Sequence, residues 1–129
     1  MTTAPQPPPP LLRLSLAPRG AAPRPVDGAW WPRSYDLLAE LPHLLGGLPP
    51  EWGQVTSVIV NGSTWSATPG RTLVCNQVVR LRRTEAASAP NTVVLFAAGQ
   101  GRRDLLIVPP ESTEQAARPF MAAAADGRL

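Results

Sequence analysis

The sequence predicts an α+β fold: an antiparallel meander sheet of five to six strands, an N-terminal kinked helix or helix pair, and a C-terminal helix packed on one face. Three observations carry that expectation. Leu37, Leu38, Leu41, Leu44, Leu45 and Leu48 recur at the spacing of a single helical face. Alternating apolar runs, punctuated by Gly, Pro and Asn, fill most of residues 54–110. A capping-box pattern at Ser112 and Gln115 then opens an alanine-rich stretch.

Taken in order, nine of the seventeen prolines fall in the first 32 residues. "PQPPPP" favours polyproline II, so residues 1–10 read as a disordered tail, ahead of a single domain over 11–124 and a flexible C-terminus at 125–129. In "LLRLSLAP", Leu12, Leu14 and Leu16 alternate with Arg13 and Ser15, the period of a half-buried first strand. An irregular connection follows, ending at "DGAWWPRS". Ser34 is expected to cap the first helix, with Asp36 in its first turn. Pro42 should split or kink that helix before Gly46-Gly47 ends it.

The remaining chain reads mostly as strand. "QVTSVIV-NG-STWSA" has the Asn-Gly pair of a two-residue type I′ hairpin, which sets Trp65 opposite Val58. "RTLVCNQVVRLRR" is one strand broken near Asn76, or two strands. "TVVLFAA-GQG-RRDLLIVPP" forms a second hairpin that Pro109-Pro110 ends. A helix from about Thr113 to Ala124 closes the domain, weakened in its middle by Pro119.

The motifs "RLSLAP", "DGAWWPRS", "VNGSTW", "VVRL" and "LLIVPP" together, in this order, resemble a family of small actinobacterial proteins known only as a domain of unknown function. The likeness spans roughly residues 11–124, with the tryptophan motif its most specific part. It implies one domain and brings no activity.

Composition narrows the chemistry. The 129 residues are 43% apolar, as in a globular protein, and carry a net charge of +3. The basic residues are all arginine, and "RLRR" and "GRR" read as turn and edge-strand charges that discourage aggregation. One histidine and one cysteine are too few for a structural zinc site. His43 reads as an exposed helix residue and Cys75 as a small buried hydrophobe. "GQGRRD" joins two strands, whereas a dinucleotide-binding loop opens a helix. No catalytic group, metal or cofactor is therefore expected. No apolar run suits a membrane span, and "MTTAPQPPPP" lacks the marks of a secretory signal, so a cytoplasmic location is expected.

The adjacent tryptophans are the candidate site. Consecutive extended residues point to opposite sides, so one of Trp30 and Trp31 should be buried and the other left nearer the surface. Trp31, closer to the helix, is taken as the buried one. Arg33 is expected to lie over the exposed ring, and Asp27 to pair with Arg33 across the loop. Trp65 joins from another segment. The leading expectation is a non-enzymatic module that binds a protein partner or self-associates through this Trp/Arg surface or an edge strand. The alternative is a small-molecule-binding protein, similar to a reduced helix-grip fold, with a pocket lined by Trp30, Trp31, Arg33 and Trp65. Nucleic-acid binding through "RLRR" and "GRR" ranks third.

Overall fold

Alternation of side chains across one sheet organises the molecule. The computed structural model describes residues 12–18, 26–61, 65, 70–74, 76–84, 92–99 and 101–127. Its strands are β1 (Leu14–Leu16), β2 (Gly28–Trp30), β3 (Val55–Asn61), β4 (Arg71–Val74), β5 (Gln77–Thr84), β6 (Thr92–Ala97) and β7 (Gly101–Ile107). Helix α1 spans Leu37–Gly46 and helix α2 spans Glu114–Ala125, with a 3₁₀ turn at Pro50–Trp52. The strands form one sheet in the order β1-β2-β7-β6-β3-β5-β4.

The expected α+β class holds, but the sheet is mixed rather than an antiparallel meander, and among the described residues it has seven strands rather than five or six. β2 runs parallel to β7, and β3 runs parallel to β5. The added strand is β2. Gly28, Ala29 and Trp30 are all buried, because this short strand is covered on both faces. Its hydrogen bonds continue past the strand, with Val108 N–H donating to Trp30 O at 2.9 Å and Asp27 N–H donating to Asp104 O at 2.7 Å. A three-residue strand is too short to show any alternation in sequence.

The Asn61-Gly62 hairpin does not form. Both sides of β3 are taken by other strands, with Val58 opposite Leu81 on one side and Leu95 on the other. Local turn preference yields here to the longer apolar pattern of β5, whose Val79 and Leu81 are buried. Trp65 therefore has no cross-strand place opposite Val58. Its N–H donates to Asn61 O at 3.3 Å, and its ring is buried. Residues 62–64 lie outside the described residues, as do the tail at 1–10 and Cys75.

The β6–β7 hairpin forms as expected, and the segment left open between one broken strand and two is a second hairpin. β4 and β5 are separate strands paired from Val74–Gln77 outward, with Asn76 at φ 64°, a conformation that asparagine tolerates. β6 and β7 pair around Gly99 and Gly101, both at positive φ.

The helices pack on opposite faces of the sheet, not on one. Leu37, Leu41 and Leu44 of α1 join Trp30, Val58, Val60, Val79, Leu81, Leu95 and Leu105 in the main core. Ala117 and Ala124 of α2 pack with Ala29 and Val108 on the other side. The division follows from the pleat, since Ala29 and Trp30 must point apart. α1 is one helix, with Pro42 inside it and exposed. Its cap is Asp36, not Ser34: Asp36 Oδ1 accepts from Ala39 N–H at 3.4 Å. Ser34 is engaged elsewhere, its Oγ accepting from Asp36 N–H and donating to Glu40 Oε2. Likewise Thr113, not Ser112, caps α2, accepting from Ala116 N–H at 3.1 Å. No helix among the described residues is long and apolar enough to cross a membrane.

Candidate functional site

The tryptophan motif is divided between the two faces. Trp30 is 1% exposed and Trp65 is 4% exposed, so Trp30 and not Trp31 is the buried neighbour. The reason is strand phase: Trp30 shares a face with Leu14, its partner on β1, and with Ile107, its partner on β7. Trp30 and Trp65 stack with centroids 5.5 Å apart and planes 13° from parallel, and Tyr35 meets Trp65 edge-on at 5.7 Å. Burial pushes the Tyr35 phenol above its ordinary pKa, with a further push from the Glu111 carboxylate.

Trp31 is half-buried on the α2 side, beside Ala29. The cation over its ring is Arg13, not Arg33, with the guanidinium carbon 3.7 Å from the ring centroid. Arg13 also donates from Nε to Trp31 O at 3.0 Å and from Nη2 to Pro32 O at 2.9 Å. Burial lowers the Arg13 pKa, and the nearby Arg33 lowers it further. Arg33 is exposed and its backbone N–H donates to Glu40 Oε1 at 2.9 Å. The expected Asp27–Arg33 pair is replaced by a tie across the sheet: Asp27 Oδ2 accepts from Asp104 N–H at 2.8 Å. Of the five residues, then, the structure brings together Trp30 and Trp65 in the core, sets Trp31 on the opposite face, and leaves Arg33 and Asp27 apart.

A different surface gathers the unpaired charge. α2 packs over β1 and β2, at one end of the sheet, and leaves that face of β3, β4 and β5 open. Register places Arg71 opposite Arg80, and Leu73 opposite Val78, on this open face. The same register sets Ser57 beside Arg80 and Ile59 beside Arg82. A hollow of about 420 Å³ is lined by Thr56, Ser57, Arg71, Val78, Arg80 and Arg82. Its shape owes something to a bulge in β3, where the register shifts between Val55 and Ser57 and Thr56 is the extra residue. Ser57 Oγ is buried there without a hydrogen-bond partner. A second hollow of about 370 Å³ continues the face past Arg82 to Val94 and Arg102.

Electrostatically the face is one-sided. Arg102 is neutralised by its own strand, with Nε 2.7 Å from Asp104 Oδ1 and Nη2 2.9 Å from Oδ2, and this contact raises its pKa. Arg71, Arg80 and Arg82 are exposed, and among the described residues none of them has an acidic partner. Leu73 and Val78, 70% and 60% exposed, sit beside them. The signal for this face was present in "VVRLRR", where Arg80 and Arg82 alternate with buried Val79 and Leu81. What was missing was Arg71, which only the β4–β5 register brings alongside.

No three of His, Cys, Asp and Glu converge among the described residues, and His43 lies exposed on α1. The face can therefore offer guanidinium groups, a hydroxyl and aliphatic surface. A family model described as a family of unknown function (DUF5994) matches residues 13–124 of the chain. No curated protein and no solved structure matches it.

Proposed function

The chain belongs to that family of unknown function, and we propose that it acts as a non-enzymatic, cytoplasmic binding module whose open sheet face receives an acidic protein partner. The observation that carries this reading is the row Arg71, Arg80 and Arg82 on one exposed face, with no carboxylate paired to them among the described residues. Protection of an edge calls for charge but not for Arg71 directly opposite Arg80, because like charges facing each other on paired strands destabilise a sheet. A partner's carboxylates would each take a bidentate guanidinium contact, while Leu73 and Val78 supply apolar contact between them.

A protein suits this face better than a nucleic acid. Sequence-tolerant binding of single strands uses aromatic rings on which bases stack. Among the described residues of β3 to β7 the aromatic side chain on this face is Phe96, which is half-buried opposite Arg102.

The test uses the full chain, a labelled polyglutamate peptide and a single-stranded oligonucleotide, titrated at low and at physiological ionic strength. Polyglutamate should bind, weaken with salt, and lose binding in the R71E/R80E/R82E variant. Tighter binding of the oligonucleotide would give the face to nucleic acid instead. Undiminished polyglutamate binding by the variant would remove the face from the account.

A further inference from the structure

The geometry points to a mode of docking: the acidic partner adds an extended strand to the open edge of β4. This inference rests on the reading above and specifies the partner's conformation. β4 is the last strand of the sheet, and among the described residues nothing pairs with its outer side.

Register decides which backbone groups face outward. β4 and β5 are joined through Val74 opposite Gln77, a two-residue connection whose flanking pair is hydrogen-bonded. Hydrogen-bonded and non-hydrogen-bonded pairs then alternate. Thr72–Val79 is bonded, and Leu81 N–H donating to Gly70 O at 3.0 Å continues the series. Arg71 and Leu73 fall in the intervening pairs, so their N–H and C=O groups turn away from β5. The same two residues place their side chains on the open face. An incoming strand would thus meet backbone donors and acceptors, a guanidinium and an exposed leucine at one edge.

This coincidence states what the strand carries. Residues two apart share a face, so a carboxylate beside Arg71 comes with an aliphatic side chain beside Leu73. Arg71 also argues against a second copy of the chain in this place. Two such edges would bring Arg71 and Arg80 of both copies together, and Asp104, on the same face, is already paired with Arg102. The opposite edge, β1, offers no such row, since Arg13 is held by Trp31 and Pro32.

The test is a synthetic peptide alternating threonine with glutamate and valine, so that one face is acidic and aliphatic. Two versions are N-methylated, one at the threonines and one at the glutamates and valines. A paired strand uses alternate amides, so one methylated version should bind at least about tenfold more weakly than the parent while the other binds as the parent does. On the protein side, Leu73→Pro removes an outward N–H without touching the bonds to β5, and should bind more weakly than Leu73→Ala. If both methylated peptides match the parent, or lose affinity equally, strand addition is wrong, while polyglutamate binding still stands for the acidic partner. Failure of the parent peptide together with polyglutamate would remove both.

Discussion

Arg71 and Arg80 stand directly opposite each other on β4 and β5, in a pair without hydrogen bonds between their backbones. Such pairs bring side chains closer than bonded ones do. The repulsion is borne by the fold in the free protein and would be relieved when carboxylates arrive.

Replacing Arg80 with threonine should therefore stabilise the protein while weakening acidic-peptide binding. Relief of a like-charge pair and gain of a β-branched residue are together worth about 0.2–1 kcal/mol. Urea denaturation with peptide titration on the same sample checks both. A variant that is less stable, or that binds normally, would show that Arg80 has another role.

The Trp30–Trp65 stack makes the opposite prediction. Alanine at either position should cost about 3–5 kcal/mol. Because the rings touch, the double variant should lose less than the two single losses added together, by about 0.5–1.5 kcal/mol. A denaturation cycle measures this, and strict additivity would mean the rings do not stabilise each other.

These two cases mark how far the sequence could be read. Helix α1, the β6–β7 hairpin and β1 were legible because each has its own period and punctuation, while the β4–β5 segment was legible only as one broken strand or two. β2 was not, since Gly28–Trp30 has neither, and only its place between β1 and β7 makes it a strand. The phase of that strand decides which tryptophan is buried, so choosing Trp31 failed with it. The Asn61-Gly62 turn misled because a local preference lost to strand pairing at long range. For the arginine face, Arg80 and Arg82 were legible as neighbours, but Arg71 arrives from a strand whose pairing the sequence does not state.

Gly28 tests the close approach of β1 and β2. A Cβ there would collide with Ser15 O and lie 2.9 Å from Leu16 Cδ2. Gly28→Ala should cost about 1–3 kcal/mol through overpacking, seen as a lowered urea midpoint. A variant with unchanged midpoint would contradict the close approach of Ser15 and Leu16 to Gly28.

Tyr35 is the single tyrosine, so the change in tyrosinate absorbance reports its titration with no contribution from another phenol. Burial first, and Glu111 second, raise its pKa. The unfolded value is about 10, so the stabilisation from this neutral phenol is complete below about pH 10. It is lost as pH rises through the higher folded value. Glu111→Gln should bring the folded value partway down. Ionisation at or below the unfolded value would contradict the packing of Tyr35 against Trp65.

The most direct measurement of the central claim is a map of backbone amide shifts by NMR as polyglutamate is titrated into the full chain. Binding on the open face predicts shifts at Ser57, Arg71, Leu73, Val78, Arg80 and Arg82, with Arg13, Trp31 and the α2 amides unmoved. Shifts centred on Trp31 and α2, with the β3–β4–β5 face unchanged, would contradict it.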